Sequence, residues 1–95
     1  MTREEVKGIS REVKTIIELM FNSGEVKDTQ RFHRVNEDII IEINCERMPN
    51  AHVFSWDLYV LNRGVAVESY HPMRTGTEMK DFEDLDETLY MVLGD

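Results

Sequence analysis

Apolar residues recur at helical spacing over the first 22 residues of the chain. Because they are three or four positions apart, they share one face of a helix: Val6, Ile9, Val13, Ile16, Ile17 and Met20. Thr2 and Glu5 have the spacing of a capping box, in which each side chain accepts a backbone N–H at the helix start. Asn, Ser and Gly at positions 22–24 are typical of a helix end. The pattern therefore predicts an N-terminal amphipathic helix.

The pattern then changes to the alternating, β-branched runs that are typical of strands. Four runs are separated by turn residues, and they cover positions 30–35, 39–45, 52–61 and 65–70. The first run is weak and polar, which suits the edge of a sheet. The turns between the runs contain Asn, Pro and Gly, and Gly64 is expected to have a positive φ.

A second helical stripe follows near the end of the sequence, formed by Phe82, Leu85, Leu89, Val92 and Leu93. Asp84 and Glu87 have capping-box spacing, which places the helix start near Leu85. Asp81 is an alternative start two or three residues earlier. Either start crowds acidic residues into the first turn, where the helix dipole favours negative charge.

Together these elements predict a single α+β domain over residues 1–95. The expected order is an N-terminal helix, an antiparallel β-meander of three to four strands, and a C-terminal helix. Both helices are expected on one face of the sheet, because their apolar stripes need the same apolar surface to cover. Trp56 is expected to be among the most buried residues of this core.

The register of the central hairpin can be proposed from its apolar residues. Pairing residues whose numbers sum to 97 sets Ile43 opposite Phe54, and it keeps six apolar residues on one face: Ile39, Ile41, Ile43, Phe54, Trp56 and Leu58. The same register sets Cys45 opposite His52 at the hairpin end.

The last hairpin has two alternatives. A three-residue loop with a bulge pairs Leu61 with Val65, and it puts an apolar set on the sheet face that the helices do not reach: Ile40, Tyr59, Leu61, Val65 and Val67. A two-residue loop pairs Val60 with Val65 and moves Val65 and Val67 into the core. The glycine favours the first alternative. An exposed apolar set is typical of an interface, so these residues are a candidate homodimer face.

Charge is distributed unevenly along the chain. The chain has 11 Lys and Arg residues and 19 Asp and Glu residues, which gives a net charge of −8. Nucleic acid and anionic membranes bind clustered Lys and Arg, so neither is expected as a direct partner. Residues 75–95 contain seven acidic residues and one lysine, so most of the net negative charge lies near the predicted second helix.

Catalytic and metal-binding patterns are weak. His33, Cys45, His52 and His71 lack the paired spacing of a zinc site. A thiolate–imidazolium pair of Cys45 and His52 lacks an orienting third residue and a cleft. We therefore expect no enzymatic activity, no metal and no cofactor. A lone cysteine and the lack of a long apolar run or secretory signal favour a cytoplasmic protein.

The acidic cluster is the most specific indication of function, and it consists of Glu78, Asp81, Glu83, Asp84, Asp86 and Glu87. Closely spaced carboxylates can imitate the phosphates of a nucleic acid and bind Lys or Arg of another protein. The hypothesis is a small acidic protein that occludes a basic surface of a partner protein. It is similar in type to phage-encoded or bacterial inhibitors and immunity proteins, although no motif ties it to a family.

Three alternatives to this hypothesis stand. The acidic cluster is also what the dipole of a solvent-exposed helix start favours, without any partner. A structural homodimer, or a subunit of a larger assembly, would bury the apolar sheet face and is compatible with partner binding. A small enzyme is the third alternative, and no recognisable set of catalytic residues supports it.

Overall fold

The computed structural model describes residues 1–23, 29–48, 53–70 and 85–94, with only the backbone described at 47, 48, 53 and 54. Two helices and four strands follow one another in the order α1 (Arg3–Asn22), β1 (Thr29–Arg34), β2 (Ile39–Met48), β3 (Val53–Asn62), β4 (Val65–Tyr70) and α2 (Leu85–Leu93). The predicted α+β order is confirmed, and the meander has four strands.

Helix α1 begins at the predicted capping box. The Thr2 hydroxyl accepts the Glu5 N–H at 3.2 Å, and the Glu5 carboxylate accepts the Thr2 N–H at 3.1 Å. These two bonds satisfy N–H groups that have no partner within the helix. The stripe is buried at Val6, Val13, Ile17 and Met20, as its spacing predicts.

The four strands form one antiparallel sheet in the order β1-β2-β3-β4. In the central hairpin Cys45 pairs with Trp56 and Ile40 pairs with Leu61, so paired residue numbers sum to 101. The predicted sum of 97 is therefore wrong, as is the predicted pairing of Cys45 with His52. The reason is that β2 continues to Met48 where a loop was expected, which shortens the connection to β3.

The faces of the sheet are nevertheless those that the sequence predicts. The register error is four residues, and an even shift leaves every side chain on its own face. The buried strand residues all lie on one face: Ile41, Ile43, Cys45, Trp56, Leu58 and Val60. They form one cluster with the buried residues of α1 and α2, so both helices cover this face. Trp56 is 7% exposed and stacks on Tyr70 at 5.5 Å between ring centroids.

The turn between β3 and β4 differs from both alternatives. Arg63 and Gly64 have φ values of 51° and 84°, which is the two-residue type I′ geometry that suits the twist of a hairpin. Val65 therefore pairs with Asn62, and not with Leu61 or Val60. A bulge does occur, but inside the strand pair: Leu61 pairs with Ala66 and Val60 with Glu68, which leaves Val67 as the extra residue.

Helix α2 packs antiparallel against α1. Leu85, Leu89 and Leu93 are buried, and the amino group of Met1 donates to the Leu93 carbonyl at 3.0 Å. This positively charged amino group is favourable here, because it lies at the C-terminal, negative end of the α2 dipole. Among the described residues, neither helix has the length and apolar character needed to cross a membrane.

Candidate functional site

The first turn of α2 carries two residues of the predicted acidic cluster, and both contact α1. The Asp86 carboxylate accepts the Ser10 hydroxyl and lies 3.3 Å from the Lys14 ammonium. Glu87 binds the Arg3 guanidinium at 2.8 Å, and that guanidinium also lies over the Tyr90 ring at 4.0 Å. These contacts connect the two helices, from the buried Ser10 to the exposed Arg3 and Glu87.

The environment of Asp86 favours its charged form. The hydrogen bond from Ser10 lowers the pKa of the Asp86 carboxyl, and Lys14 lowers it further, while partial burial acts in the opposite direction. Ser10 itself is 1% exposed. The donor side of the Ser10–Asp86 hydrogen bond is therefore shielded from water.

These contacts give Asp86 and Glu87 a structural role within the chain. Both side chains keep more than a third of their surface exposed, at 39% and 66%. Their participation in partner binding stays a prediction. The other four residues of the acidic cluster lie outside the described residues: Glu78, Asp81, Glu83 and Asp84.

A more complete surface lies on the sheet face opposite the helices, which we call the open face. Opposite residues of paired strands share a face, so the register defines its members: Gln30, Phe32, Arg34, Ile40, Glu42, Asn44, Glu46, Ser55, Asp57, Tyr59, Leu61, Ala66 and Ser69. Neither α1 nor α2 covers it, because both pack on the other face.

One end of the open face is mostly apolar, with Arg34 beside Ile40 at its edge, and we call its apolar residues the apolar end: Phe32, Ile40, Tyr59, Leu61 and Ala66. Ile40 pairs with Leu61, and Leu61 pairs with Ala66, so the three lie in one row across β2, β3 and β4. Phe32 and Tyr59 flank Glu42 in the next row. Phe32 is 57% exposed, while Ile40, Tyr59 and Leu61 are partly buried.

The other end is a hydrogen-bonded polar network, and we call it the polar end: Gln30, Glu42, Asn44 and Asp57. The Asn44 carbonyl oxygen accepts from the Gln30 amide at 2.8 Å. The Asn44 amide donates to Glu42 at 3.2 Å and to Asp57 at 3.1 Å. The bond to Asn44 draws the Glu42 carboxylate away from the apolar end, although Glu42 lies between Phe32 and Tyr59.

Only three of the five residues of the predicted dimer face lie together on the open face. Ile40, Tyr59 and Leu61 share the open face as predicted. Val65 does not, because its pairing with Asn62 turns it to the helix-covered side, where it is 65% exposed at the hairpin tip. Val67 is the bulge residue, 50% exposed, and it lines a shallow hollow with Tyr59 and Ala66. The physical reason is the two-residue turn, which shifts the register of β4.

The sequence pattern did not identify two residues that take part in these surfaces and contacts, Phe32 and Ser10. Phe32 stands in a polar strand, and only the pairing of β1 with β2 shows that it shares a face with Ile40. Ser10 lies between Val6 and Val13 in the apolar stripe of α1. A polar residue at a buried helical position needs a hydrogen-bond partner, and that signal could have identified it.

The cysteine and histidine hypotheses gain no support from the described residues. Cys45 is buried, with its sulfur 3.5 Å from that of Met20. His52 and His71 lie outside the described residues. Within the described ranges no group of three or more His, Cys, Asp and Glu side chains could hold a metal ion.

A small apolar hollow lies between the C-terminal end of α1 and β1. It has a volume of about 200 Å³ and is lined by Ile16, Leu19, Met20, Ser23, Thr29 and Arg31. Ligand sites for small molecules usually enclose about 300–1,000 Å³. This hollow is therefore small for a substrate site.

Comparisons with family models, with curated proteins and with solved structures each gave no match for this chain. What the structure defines is an α+β domain with one helix-covered sheet face and one open face. Function is therefore inferred from the open face and from the contacts between the helices.

Proposed function

We propose that this chain is a small acidic binding protein without catalytic activity, which covers a basic surface of a partner protein with its open face. The observation that carries the proposal is the apolar end, where Ile40 pairs with Leu61 beside Tyr59 and the 57% exposed Phe32 lies on the next strand from Ile40. Scattered exposed apolar residues are normal, but contiguous ones rimmed by polar residues are typical of protein interfaces.

Charge complementarity favours a basic partner. The chain has a net charge of −8, and the open face carries Glu42, Glu46 and Asp57 against Arg34. A partner with Lys and Arg around an apolar centre would match both ends of this face. A second copy would bring the same negative charge, which disfavours self-association relative to a basic partner.

The proposal retains the inhibitor or immunity type of activity, in which binding blocks the partner's own site. Where that site binds nucleic acid, the carboxylates would act as a nucleic-acid mimic. A cytoplasmic location is part of the proposal, supported by a buried thiol in a chain with one cysteine. Asp86 and Glu87 of the acidic cluster lie on α2, on the other side of the sheet, so they would form a contact with a basic protein that is separate from the open face.

Photo-cross-linking from the open face tests this proposal. A photoreactive phenylalanine analogue replaces Phe32, and the matched control carries it at Met91, which is 79% exposed on α2. We expect position 32, and not position 91, to cross-link a basic protein at low salt, with a weaker yield at high salt. Equal adducts from both positions, or a salt-independent adduct, would contradict the proposal.

A structural homodimer is the second candidate, and the contiguity of Ile40, Leu61 and Phe32 favours it. Light scattering at micromolar concentration measures it directly. A mass near 11.2 kDa would show a monomer and exclude the dimer at that concentration. A doubled mass that returns to that of a monomer in Phe32→Asp would support it.

A further inference from the structure

Strand β1 is an edge of the sheet, and it pairs with β2 alone within the part of the chain that the structure describes. The Val35 N–H donates to the Ile39 carbonyl, and the backbone groups of an antiparallel strand alternate in direction. The N–H and C=O groups of Gln30, Phe32 and Arg34 therefore point away from β2. A row of outward backbone groups is complementary to one kind of element, an extended strand.

The apolar hollow between α1 and β1 lies beside this edge, on the helix-covered side of the sheet. Ile16 and Leu19 line it from α1, and Thr29 and Arg31 line it from β1. Leu19 is 65% exposed, so the last turns of α1 keep apolar surface that the sheet does not cover. Alternate side chains of a strand added to β1 would lie on this side, where one apolar side chain would fill the hollow.

The charge of β1 determines which strand fits. It carries Arg31 and Arg34 and has no acidic residue. The Gln30 carbonyl, one of the outward groups, accepts from the Arg31 guanidinium at 2.9 Å. An N–H of an added strand would replace that contact and release Arg31 to bind a carboxylate. A basic segment would be repelled here, so an acidic segment is favoured.

The other edge of the sheet is less suited to strand addition. Strand β4 contains the bulge at Val67, and its Ser69 N–H donates to the Glu68 carboxylate at 2.9 Å. A bulge and a charged side chain both protect an edge strand against further pairing.

From these observations we infer that β1 is a docking site for an extended segment of another protein. The segment pairs antiparallel with β1, like the other strands of the sheet, and it alternates apolar residues on the side of the hollow with acidic residues. The inference goes beyond the proposed function, because it concerns the sheet edge and an acidic segment.

Two synthetic peptides of about seven residues, enough to span β1, test the inference on the full chain. Both alternate apolar and charged residues, and the charged residue is Glu in one and Lys in the other. We expect the Glu peptide to shift the NMR amide signals of Gln30, Phe32 and Arg34 and to bind about tenfold or more tightly than the Lys peptide. Its affinity should fall about tenfold or more in Leu19→Asp and stay unchanged in the control Met91→Asp, which alters an exposed residue of α2.

Backbone methylation separates strand pairing from charge attraction. The peptide residues opposite Gln30, Phe32 and Arg34 direct their N–H groups at β1, and these are the charged positions. N-methylation of the charged positions should therefore abolish binding, and N-methylation of the apolar positions should not. The inference is overturned if both methylated peptides bind equally, if the Lys peptide binds as tightly as the Glu peptide, or if the amide shifts fall outside β1 and the hollow. Salt-dependent cross-linking of a basic protein tests the proposed function separately.

Discussion

The hydrogen bond between Ser10 and Asp86 is expected to stabilise the packing of α2 on α1. Ser10→Ala removes the buried donor and leaves the carboxylate to Lys14 and water. A hydrogen bond to a charged group contributes about 1.5–3 kcal/mol, and we take the lower end because Asp86 is 39% exposed. Alanine regains about 0.5 kcal/mol of helix propensity. The expected loss in the free energy of unfolding is therefore about 1 kcal/mol.

The pH dependence of this loss has a definite sign. The pKa of Asp86 is lowered in the folded chain, chiefly by Ser10. A carboxyl with a lowered folded pKa stabilises the fold above its ordinary pKa of about 3.9, and the contribution is lost as the pH falls through the folded pKa. The difference in the free energy of unfolding between the unaltered chain and Ser10→Ala should therefore be largest near neutral pH. It should shrink only below about pH 4.

Urea unfolding followed by the fluorescence of Trp56, the only tryptophan, measures the difference at each pH. NMR titration of the Asp86 carboxyl adds a direct measurement, and its pKa should rise in Ser10→Ala. Thr15→Ala is the matched control, because its hydroxyl lies on the exposed side of α1 and donates to the Arg11 carbonyl of the same helix. A loss that is the same at every pH, or equal in the control, would refute the reasoning.

Three further predictions concern the core and two glycines. Trp56→Ala should lower the free energy of unfolding by about 3–5 kcal/mol, enough to unfold a domain of this size, whereas Trp56→Phe should leave a folded chain. Circular dichroism distinguishes the folded from the unfolded variant. An alanine variant as stable as the unaltered chain would contradict the burial of Trp56. Gly8→Ala should raise the free energy of unfolding by about 0.5–1 kcal/mol, because an added Cβ meets nothing within 4 Å; a lower melting temperature would show a contact that the structure lacks. Gly64→Ala should destabilise by about 1 kcal/mol or more, because its φ of 84° strains an alanine; unchanged urea unfolding would rule out the type I′ turn.

Local signals predicted the helices and the two faces of the sheet. The α1 stripe and its capping box depend on residues three or four positions apart, so the sequence contains all the necessary information. The alternation in β2 and β3 likewise fixes which side chains are buried, as Ile41 and Leu58 show. These features needed no knowledge of the rest of the chain.

Register and long-range pairs could not be predicted in the same way. Alternation has a period of two, so it cannot distinguish a sum of 97 from the observed 101. The position of Val65 depends on whether Arg63 adopts a positive φ, which the sequence does not favour for a non-glycine residue. Ser10 and Asp86 are 76 residues apart, and only the packed helices bring them together.

The contacts between α1 and α2 also set the order in which the chain can fold. The three strand pairs join neighbouring elements, so their contacts close short loops. The contacts of Met1 with Leu93 and of Ser10 with Asp86 join residues that are 92 and 76 positions apart. Closing the longest loops costs the most chain entropy, so docking of α2 is expected late, after the meander has formed. Weakening that docking should then speed unfolding more than it slows folding.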